Sequence, residues 1–395
     1  MTELSDSTFD AAIVGAGPAG SSAAVRLAAA GLNVLLVEQK KFPRQKLCGE
    51  FISPECLVHF DELGVMKDIS AASGVDLRET VFFARSGKGV AVKSEWFGQT
   101  GSLALGLSRA EMDARLLQRA REVGVDVREE TTAAGFIFDK TRVSGIILRD
   151  KNGAESSAQA KVTIDATGRT RSLARRIDKA DGTRKRAEYV AFKTHLLGAR
   201  VAAATCEIYA YRGGYGGCNR VENDLYNLCF IASADDTRTR ASDPERVLSE
   251  VVFTNKRAAE TMQDATFPDE WLAVPIERFG RGSLVPCEGL LTIGDAAAFI
   301  DPFTGSGILL ALESAKIAAS AITKNFNGNT DFQTLARDYR TGYAAAFDLR
   351  LRVCSILRHA SVAPFLAEAT ISLLSLSDSL RRRIARATRF SAGSA

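Results

Sequence analysis

A glycine-rich turn between two short apolar runs constrains the fold of this chain more than any other feature. The run Phe9–Val14 has the length of a buried strand and ends directly in Gly15-Ala16-Gly17-Pro18-Ala19-Gly20. An alanine-rich, helix-prone segment follows, and Leu32–Val37 predicts a second buried strand that ends at Glu38. A strand, a glycine turn, a helix, a strand and an acid in this order form the full context of a dinucleotide-binding unit.

Each glycine of this turn serves a different physical purpose. Gly15 permits the tight turn, Gly17 lets the backbone approach a pyrophosphate, and Gly20 lets the helix pack closely on the strand. The free N–H groups at the helix start can hold phosphate oxygens. Glu38 stands where a carboxylate accepts hydrogen bonds from an adenosine ribose. The stretch therefore predicts a site for the adenosine diphosphate part of a dinucleotide.

The composition is that of a globular protein and argues against several classes. A length of 395 residues suffices for two domains or for one large domain with an insertion. The net charge of +4 gives no support to a nucleic-acid partner. Seven scattered cysteines, never spaced Cys-x-x-Cys, argue against a zinc site and a disulfide framework and favour a reducing compartment. The N-terminus is polar and no run of about 18 apolar residues occurs, so we expect a cytoplasmic protein without bound metal.

A polar, basic loop follows the second predicted strand, from Gln39 to Glu50. A loop that leaves the carboxyl end of such a strand lies beside the ligand crevice of an open parallel sheet. Arg44 and Lys46 are therefore candidates to face phosphates, and Cys48-Gly49 is a candidate to approach the ring system of the ligand. The alternative is a solvated surface loop with a cysteine of no special role.

Two more strands end in glycine further along the chain. Val162–Gly168 contains one, and Leu290–Asp295 contains the other, followed by a wide glycine loop. The helix Ile308–Ile322 starts directly after that loop, and its N-terminus carries roughly half a positive charge. Such a helix start would stabilise the anionic reduced form of an isoalloxazine, and Asp295 would accept a hydrogen bond from a polyol chain. An ordinary strand–loop–helix is the alternative.

About halfway along the chain the pattern changes to β-branched and aromatic runs separated by turns. Tyr189–Leu197, Thr205–Tyr211 and Leu225–Ala232 predict strands of an inserted antiparallel sheet. Arg212–Gly217 predicts the most pronounced turn between them, and Asp243–Asp264 predicts one helix.

The C-terminal region Asp331–Phe390 is helical by periodicity, with a break near Pro364. Arg381-Arg382-Arg383 and the arginines after it make the tail basic. We favour a solvated helix end that complements the helix dipole, and the alternative is a weak peripheral membrane contact through the basic C-terminus.

The three glycine-terminated strands, in this order, resemble the flavoprotein superfamily that shares the para-hydroxybenzoate hydroxylase fold. Within it, Phe42-Pro43-Arg44, Cys48-Gly49-Glu50, Gly294–Ala297 and Asp301–Ile308 are most similar to the geranylgeranyl reductase family. The resemblance covers nearly the whole chain up to about Ile322 and implies FAD as the cofactor. It implies FAD contacts at Gly15, Ala16, Gly17, Pro18, Ala19, Glu38, Gln39, Arg44, Cys48, Gly49, Arg109, Val127, Gly168, Gly294, Asp295, Pro302, Gly305, Ser306, Gly307 and Ile308.

The predicted fold class is α/β, with a Rossmann-type FAD-binding domain, an inserted antiparallel β-sheet substrate domain and C-terminal helices. The FAD-binding domain is predicted in three parts, and the substrate sheet in two. The predicted bounds are residues 1–76, 105–183 and 276–325 for the first, 77–104 and 184–275 for the second, and 326–395 for the helical region.

Departures from the related motifs bear on the activity. Aromatic hydroxylases of this fold carry Asp-Gly after the third strand, where this chain has Thr167-Gly168, and this weakens a monooxygenase interpretation. The lipid reductases carry Tyr-x-Trp-x-Phe-Pro, where this chain has Tyr215-Gly216-Gly217-Cys218-Asn219, so the substrate need not be a geranylgeranyl lipid. The Trp-x-Trp-x-Ile-Pro motif of flavin halogenases is absent, and Trp271–Pro275 does not match it.

The favoured function is a FAD-dependent oxidoreductase that reduces a C=C bond of a hydrophobic small molecule. Cys48 is the candidate proton donor, because a thiol with a reference pKa of about 8.5 is mostly protonated at neutral pH. A packing and flavin-shaping role is the alternative for this cysteine. Tyr215, Phe192 and Tyr209 are the candidate substrate-binding residues on the inserted sheet.

Two other functions stay open at this point. One is a FAD-dependent monooxygenase that hydroxylates an aromatic or polyketide-like ring, and the other is a flavin- or lipid-binding protein without turnover. The sequence carries a single dinucleotide fingerprint, so NAD(P)H would have to visit a shared surface. A ferredoxin or a small flavin is the alternative electron donor.

Overall fold

A computed structural model of the chain describes residues 6–97, 102–178, 186–277, 279–299, 305–327, 331–361 and 364–387. The strands, in chain order, are β1 Asp6–Val14, β2 Val34–Val37, β3 Phe51–Ile52, β4 Val75–Leu77, β5 Glu79–Phe83, β6 Gly89–Lys93, β7 Ala104–Gly106, β8 Asp126–Arg128, β9 Thr132–Asp139, β10 Arg142–Arg149, β11 Glu155–Asp165, β12 Tyr189–Leu196, β13 Thr205–Tyr211, β14 Gly214–Arg220, β15 Tyr226–Ser233, β16 Leu272–Ile276, β17 Gly280–Arg281, β18 Leu290–Thr292 and β19 Ala298–Phe299. The helices are α1 Pro18–Ala29, α2 Pro54–Glu62, α3 Met66–Ala71, α4 Arg109–Glu122, α5 Ala174–Ile177, α6 Ala234–Thr239, α7 Pro244–Glu250, α8 Lys256–Thr261, α9 Gly307–Asn327, α10 Phe332–Ser361, α11 Pro364–Leu374 and α12 Asp378–Ala387.

A mixed sheet carries the glycine turn. Its strands lie in the order β8-β2-β1-β11-β10-β9, and β18 pairs with the C-terminal part of β11. The strands β8, β2, β1, β11 and β18 run parallel, with Ile13 beside Ile164 and Ile164 beside Leu291. The carboxyl ends of these strands therefore meet at one edge, where an open α/β sheet forms its ligand crevice. The predicted α/β class with a Rossmann-type unit is confirmed.

Both faces of this sheet are buried, as expected for parallel strands. Ala11 and Ile13 face the largest hydrophobic core, which α1, α4, α9 and α10 cover, whereas Ala12 and Val14 face a second core on the opposite side. Tyr339 of α10 is fully buried and donates its hydroxyl hydrogen bond to the carbonyl of Thr292, 2.6 Å away. The C-terminal helix α10 is thereby fixed to the end of β18.

The inserted sheet has the strand order β16-β12-β15-β14-β13-β5-β6 and is antiparallel except where β13 pairs with β5. On one face of the sheet, every second side chain of β12, β14 and β15 packs on α7, α8 and the turn between them in an apolar core. The side chains on the opposite face of the sheet point toward the loop that leads from β2 to β3. Period-two alternation therefore decides which side chains can reach a ligand held by the first sheet.

Two sequence predictions for this region are wrong. The segment Arg212–Gly217 does not form one turn, because strand β14 already begins at Gly214 and runs to Arg220. Only the residues before Gly214 belong to the turn. The glycines permit close packing there, and a Cβ at Gly216 would lie 2.8 Å from the Cβ of Phe230. The predicted helix Asp243–Asp264 is instead α7, a 3₁₀ turn and α8, because a second cap, Asn255, accepts a hydrogen bond from the backbone N–H of Ala258 and restarts the helix.

The C-terminal helices follow as predicted from periodicity, with α12 packed beside β6. Ala385 of α12 is buried, and Arg381 donates a hydrogen bond to the carbonyl of Ala91 at 2.9 Å. The described residues contain no helix with the length and hydropathy of a membrane-spanning segment. The exact segment bounds of the predicted domains stay a prediction.

Candidate functional site

The turn after β1 is formed by close approaches that exclude side chains. Gly15 has a φ of 103°, and a Cβ there would collide with the carbonyl oxygen of Ala166; a Cβ at Gly20 would collide with the Gly15 carbonyl oxygen. Gly17 precedes α1 without a side-chain cap, and a Cβ there would lie 3.8 Å from the guanidinium of Arg109. Uncapped N–H groups and a cation thus stand together at the start of α1, an arrangement that suits a phosphate group.

Glu38 ends β2 directly beside this helix start. Its carboxylate is buried and accepts hydrogen bonds from the backbone N–H groups of Ala16 and Lys40, both at 3.0 Å. Gln39 is exposed next to it, and Val127 lies on the neighbouring strand β8. The carboxylate is therefore held at the strand edge where a ribose would bind.

Arg109 is a buried cation at the base of the same crevice. Its guanidinium forms a two-point ion pair with Asp113, at 2.8 and 2.7 Å, and Asp113 is fully buried. Burial acts to lower the pKa of Arg109, but the Asp113 carboxylate, followed by Cys48, raises it above its usual value. Arg44 lies 3.4 Å from Asp113 and 3.6 Å from Glu38, so it links the two carboxylates.

The ends of β11 and β18 converge on this helix start. Gly294 has a φ of 59°, and a Cβ there would lie 2.8 Å from the Cβ of Ala19 in the first turn of α1. Gly168 begins a 3₁₀ turn that packs against the turn Gly294–Ala296, and Arg171 donates to the carbonyl of Ala296 at 2.9 Å. The structure therefore brings together the three glycine-terminated strands that the sequence separates.

Asp295 faces a positively charged wall. Burial raises the pKa of Asp295 above its ordinary value, and Arg169, Arg109 and Lys46 oppose this shift. Burial also lowers the pKa of Lys46, with Arg44, Arg109 and Arg169 adding to the effect, and burial lowers that of Arg169. One carboxylate is thus surrounded by an excess of cations, which suits a ligand that carries negative charge.

The start of α9 lies at the same crevice, near β3. Gly305 has a φ of 61°, and a Cβ there would lie 3.1 Å from the ring of Phe51. Ser306 and Ile308 are buried, whereas Gly307 has open space beside it. Pro302, which was also predicted to contact FAD, lies outside the described residues.

Cys48 lies where the cofactor loop meets the inserted sheet. Its sulfur accepts a hydrogen bond from the backbone N–H of Glu50 at 3.4 Å, and its carbonyl accepts one from the side chain of Asn227 at 3.2 Å. Gly49 beside it has open space in place of a side chain. Among the described residues the Oδ1 atom of Asn227 has no hydrogen-bond partner, although this side chain is fully buried.

A cluster of four ionisable residues begins at Glu50, two residues after Cys48, and none of the four was among the predicted site residues. Glu50 is fully buried, and its carboxylate contacts the ammonium of Lys193 at 2.5 Å and Nε2 of His195 at 2.7 Å. Nδ1 of His195 lies 2.9 Å from the carboxylate of Asp269. A signal was present, since Lys193 and His195 occupy alternate positions of a strand whose other residues carry no charge.

The substrate-binding predictions on the inserted sheet are corrected in part. Tyr215 is on the face toward the cofactor loop and packs with Ala191 and Ile231, near Leu47. Phe192 and Tyr209 are fully buried on the opposite face, in the core beneath α7 and α8. The alternation of the strands directs these two side chains away from the crevice, so they belong to the packing of the sheet.

These features fit a flavin dinucleotide. The crevice offers an uncapped helix start for a diphosphate, a fixed carboxylate for a ribose, an aspartate for a polyol and a cationic wall. Among the described residues, no group of three or more His, Cys, Asp or Glu side chains could hold a metal ion.

Comparison with known proteins agrees with this geometry. The family model "FAD binding domain" matches residues 8–344. The chain is 28% identical over 367 residues to a menaquinone reductase of Mycolicibacterium smegmatis, covering 87% of this chain and 84% of that protein. It is also 28% identical over 364 residues to a digeranylgeranylglycerophospholipid reductase of Methanosarcina acetivorans, covering 88% and 85%.

Solved structures confirm the fold. A flavin-dependent brominase superposes with a TM-score of 0.81 at 21% identity, over 98% of this chain and 95% of that one. The resemblance to the geranylgeranyl reductase family, inferred from the motifs, is confirmed by the reductase relatives. The chain therefore belongs to the FAD-binding domain family and is a FAD-dependent oxidoreductase.

Proposed function

We propose that the protein reduces a C=C bond of a polyprenyl-type hydrophobic molecule, because its relatives include a menaquinone reductase and a digeranylgeranylglycerophospholipid reductase. The observation that carries the proposal is the position of Cys48 near the end of the cofactor loop, where its backbone carbonyl contacts Asn227 of the inserted sheet and its sulfur contacts the N–H of Glu50. Bound FAD supplies the hydride for such a reduction once an electron donor has reduced it. The chain must then supply a proton and hold the substrate.

Individual residues support distinct parts of this task. The start of α1, Arg109 and Glu38 would hold the diphosphate and the ribose, and Asp295 the ribityl chain. The Cys48 thiol would donate a proton to the substrate carbon, and the N–H of Glu50 would stabilise the thiolate that remains. Glu38, Arg109 and the Cys48 sulfur are each held by hydrogen bonds within the protein.

The wall opposite the cofactor loop suits a hydrophobic substrate. Ala191, Tyr215 and Ile231 form an apolar patch with Leu47. Gly217 stands on the same face, where the lipid reductases carry a large aromatic residue, and here the side chain of Ile208 packs against it, since a Cβ at Gly217 would lie 2.8 Å from Cδ1 of Ile208. The open Oδ1 atom of Asn227 would accept a hydrogen bond from a polar end of the substrate.

The proposal is tested by mixing anaerobically photoreduced holoenzyme with geranylgeraniol. We expect flavin reoxidation without oxygen and a product heavier by two hydrogen atoms. Cys48→Ala should slow this reoxidation by about 10²-fold, the usual contribution of a positioned acid, while reduction of the flavin by light is unchanged. Cys287→Ala, a half-exposed cysteine away from the crevice, is the control. Reoxidation that needs oxygen and hydroxylates an added aromatic would favour the monooxygenase alternative.

The electron donor is proposed to be NAD(P)H, docked at the cationic wall of Lys46 and Arg169. Both cations lack an ion-pair partner of their own among the residues that the structure describes. Burial lowers the pKa values of both; neighbouring arginines add to this effect at Lys46, whereas Asp295 opposes it at Arg169. Reduction of the bound FAD by NADPH should slow in Lys46→Met, whereas reduction by dithionite should not. Equal rates with NADPH in both proteins would point to a ferredoxin or a small flavin instead.

We also propose a weak contact of the C-terminal helices with anionic lipid surfaces. Leu373 and Leu376 are 57% and 82% exposed, and Arg382, Arg383 and Arg386 are exposed on α12. In a sedimentation assay at low salt, the wild type should sediment with phosphatidylglycerol vesicles, whereas an Arg382→Glu/Arg383→Glu variant should stay in the supernatant. Equal binding of both would contradict this contact. A cytoplasmic location stays a prediction.

A further inference from the structure

A continuous series of hydrogen bonds runs from the protein surface through the inserted sheet to the cofactor loop. The carboxylate of Asp269 is 43% exposed and lies 2.9 Å from Nδ1 of His195. Nε2 of His195 lies 2.7 Å from Oε2 of Glu50, and Oε1 of the same carboxylate lies 2.5 Å from the ammonium of Lys193. Lys193 also donates to Oε1 of Gln45 at 3.0 Å, and Gln45 is exposed on the cofactor loop.

The two ends of this series differ in their surroundings. Thr194 donates to the backbone carbonyl of Asp269 and fixes the outer end beside β12. Between the ends, Glu50, Lys193 and His195 are at most 2% exposed. The Cys48 sulfur lies beside the middle of the series, because it accepts a hydrogen bond from the backbone N–H of Glu50.

His195 is held in a form that can pass a proton. Both ring nitrogens face carboxylate oxygens, which accept hydrogen bonds when ionised, so both nitrogens act as donors and the ring is cationic. Burial acts to lower the pKa of His195, but the hydrogen bond and charge of Glu50 raise it above the usual value. A ring that loses one proton at Nε2 can gain another at Nδ1.

The charged groups around Glu50 come from every element packed against it. Lys193 and His195 extend from β12, the backbone N–H of Arg109 comes from the start of α4, and Cys229 lies on β15 opposite Lys193. Burial raises the pKa of Cys229 to about 12, with the neighbouring Cys48 adding to this effect, so the Cys229 thiol stays neutral at physiological pH. Cys229 therefore adds no charge to the series of Asp269, His195, Glu50 and Lys193.

Stabilisation of the fold does not by itself explain why Glu50, Lys193 and His195 are buried together. Transfer of charges from water into a protein interior costs more than their mutual attraction returns in many proteins, and apolar replacements are often as stable. Glu50 also adopts a φ of 51°, which side-chain-bearing residues rarely do. A buried, alternating set of charges that connects solvent with a reaction site is expected where protons must move.

We propose that Asp269, His195, Glu50 and Lys193 form a proton relay that carries protons from solvent to the crevice. This proposal rests on the proposed function in one respect: the proposed double-bond reduction identifies Cys48 as the group that takes up the proton. In double-bond reduction the S–H bond of Cys48 breaks as the new C–H bond forms, and the hydride brings the electron pair to the other carbon. Lys193 then gives a proton toward the thiolate, Glu50 passes one from His195 to Lys193, and solvent at Asp269 restores His195.

These four residues act through Cys48 and are positioning residues, so the test needs readouts that a structural role would not move. In His195→Gln the side-chain amide can still donate to Glu50 but cannot transfer a proton. We expect multiple-turnover reduction of geranylgeraniol by continuously photoreduced holoenzyme to slow by about 10²-fold, because every turnover after the first needs Cys48 to be reprotonated, and we expect a larger solvent deuterium effect than in the wild type. In His195→Ala, added imidazole should restore part of the rate.

His59→Gln is the matched control. His59 is also buried between polar side chains, at 3.1 Å from Glu313 and 3.3 Å from Arg26, but it lies on α2 away from the relay. It should leave the rate and the deuterium effect unchanged. An equal rate and deuterium effect in His195→Gln and the wild type would overturn the relay. The relay would also be overturned by the following pair of results: His195→Gln is slow but has the same deuterium effect as the wild type, and imidazole does not restore the rate of His195→Ala.

A second readout separates this proposal from the proposed reaction. Two-electron photoreduction of bound FAD takes up protons whatever the substrate is, and a pH-indicator dye reports this uptake. With the relay, uptake in His195→Gln lags behind flavin bleaching, whereas in the wild type and in His59→Gln both occur together. If geranylgeraniol fails to reoxidise the wild type but this lag is present, the proposed substrate is wrong and the relay stands. If there is no lag, the relay is wrong.

Discussion

Gly294 packs directly against Ala19, so that a Cβ at Gly294 would lie 2.8 Å from the Cβ of Ala19. This contact joins the end of β18 to the first turn of α1, two segments at opposite ends of the FAD-binding unit in the sequence. Ser314 of α9 supports the same point by accepting a hydrogen bond from the Gly294 N–H at 2.8 Å. The start of α1 is therefore positioned by the same turn that carries Asp295.

Replacing Gly294 by alanine should weaken FAD binding as well as stability. The new methyl group would displace the first turn of α1, and a φ of 59° is unfavourable for alanine. We expect a loss of about 1–3 kcal/mol in the free energy of unfolding and a several-fold higher Kd for FAD. Gly153→Ala is the control, since its φ is 84° with nothing within 4 Å. Equal losses in both variants would show that the contact with Ala19 is unimportant.

Loss of the Glu38 carboxylate should reduce FAD retention. Glu38 is held beside the start of α1 by the N–H groups of Ala16 and Lys40, where it can accept ribose hydroxyls. Hydrogen bonds to a charged group contribute about 1.5–3 kcal/mol, so Glu38→Ala should raise the Kd for FAD by roughly 10- to 100-fold. Equilibrium dialysis of the apoprotein measures this. Glu155→Ala, which removes a surface partner of Arg149, should bind FAD normally, and unchanged affinity in Glu38→Ala would remove the ribose assignment.

Arg109 has two roles that a double variant can separate. Arg109→Met leaves the fully buried carboxylate of Asp113 without its main partner, which should cost about 3–5 kcal/mol of stability. Adding Asp113→Leu removes the orphaned charge and should recover most of this loss. FAD affinity should stay low in both variants, because the cation near Gly17 is absent in each. Thermal unfolding of the apoproteins and FAD titration measure the two effects, and recovered affinity in the double variant would exclude a phosphate contact of Arg109.

The FAD-binding unit could be predicted from the sequence because its signals are local. The glycine turn, the flanking strands and the acid lie within one short stretch, and each element restricts the next. The turn predicted at Arg212–Gly217 failed because glycine also serves strands that pack against large neighbours, as Gly216 does against Phe230. Phe192 and Tyr209 were misplaced because alternation identifies two faces of a strand without saying which one meets the ligand.

The proton relay could not be predicted because its partners are distant in sequence. Glu50 contacts Lys193 and His195 across 143 and 145 residues, and only the docking of the inserted sheet on the cofactor loop brings them together. Cys48 and Arg109, by contrast, were found through motif resemblance. Local patterns thus predict the cofactor crevice, whereas the charges between the sheet and the loop depend on tertiary structure.

The buried pair of Glu50 and His195 should make stability depend on pH in a defined direction. Burial acts to lower the pKa of His195, but Glu50 raises it above the usual 6.5, so its stabilisation is complete below pH 6.5 and is lost as pH rises through the folded value. Burial acts to raise the pKa of Glu50, but His195 and Lys193 lower it, so its stabilisation is present above the usual 4.5 and is lost as pH falls through its folded value. The difference in Tm between wild type and His195→Gln should therefore be largest between about pH 4.5 and 6.5 and shrink toward pH 9. Thermal melts across this range measure it, and a difference that grows with rising pH would show that His195 is neutral in the folded protein.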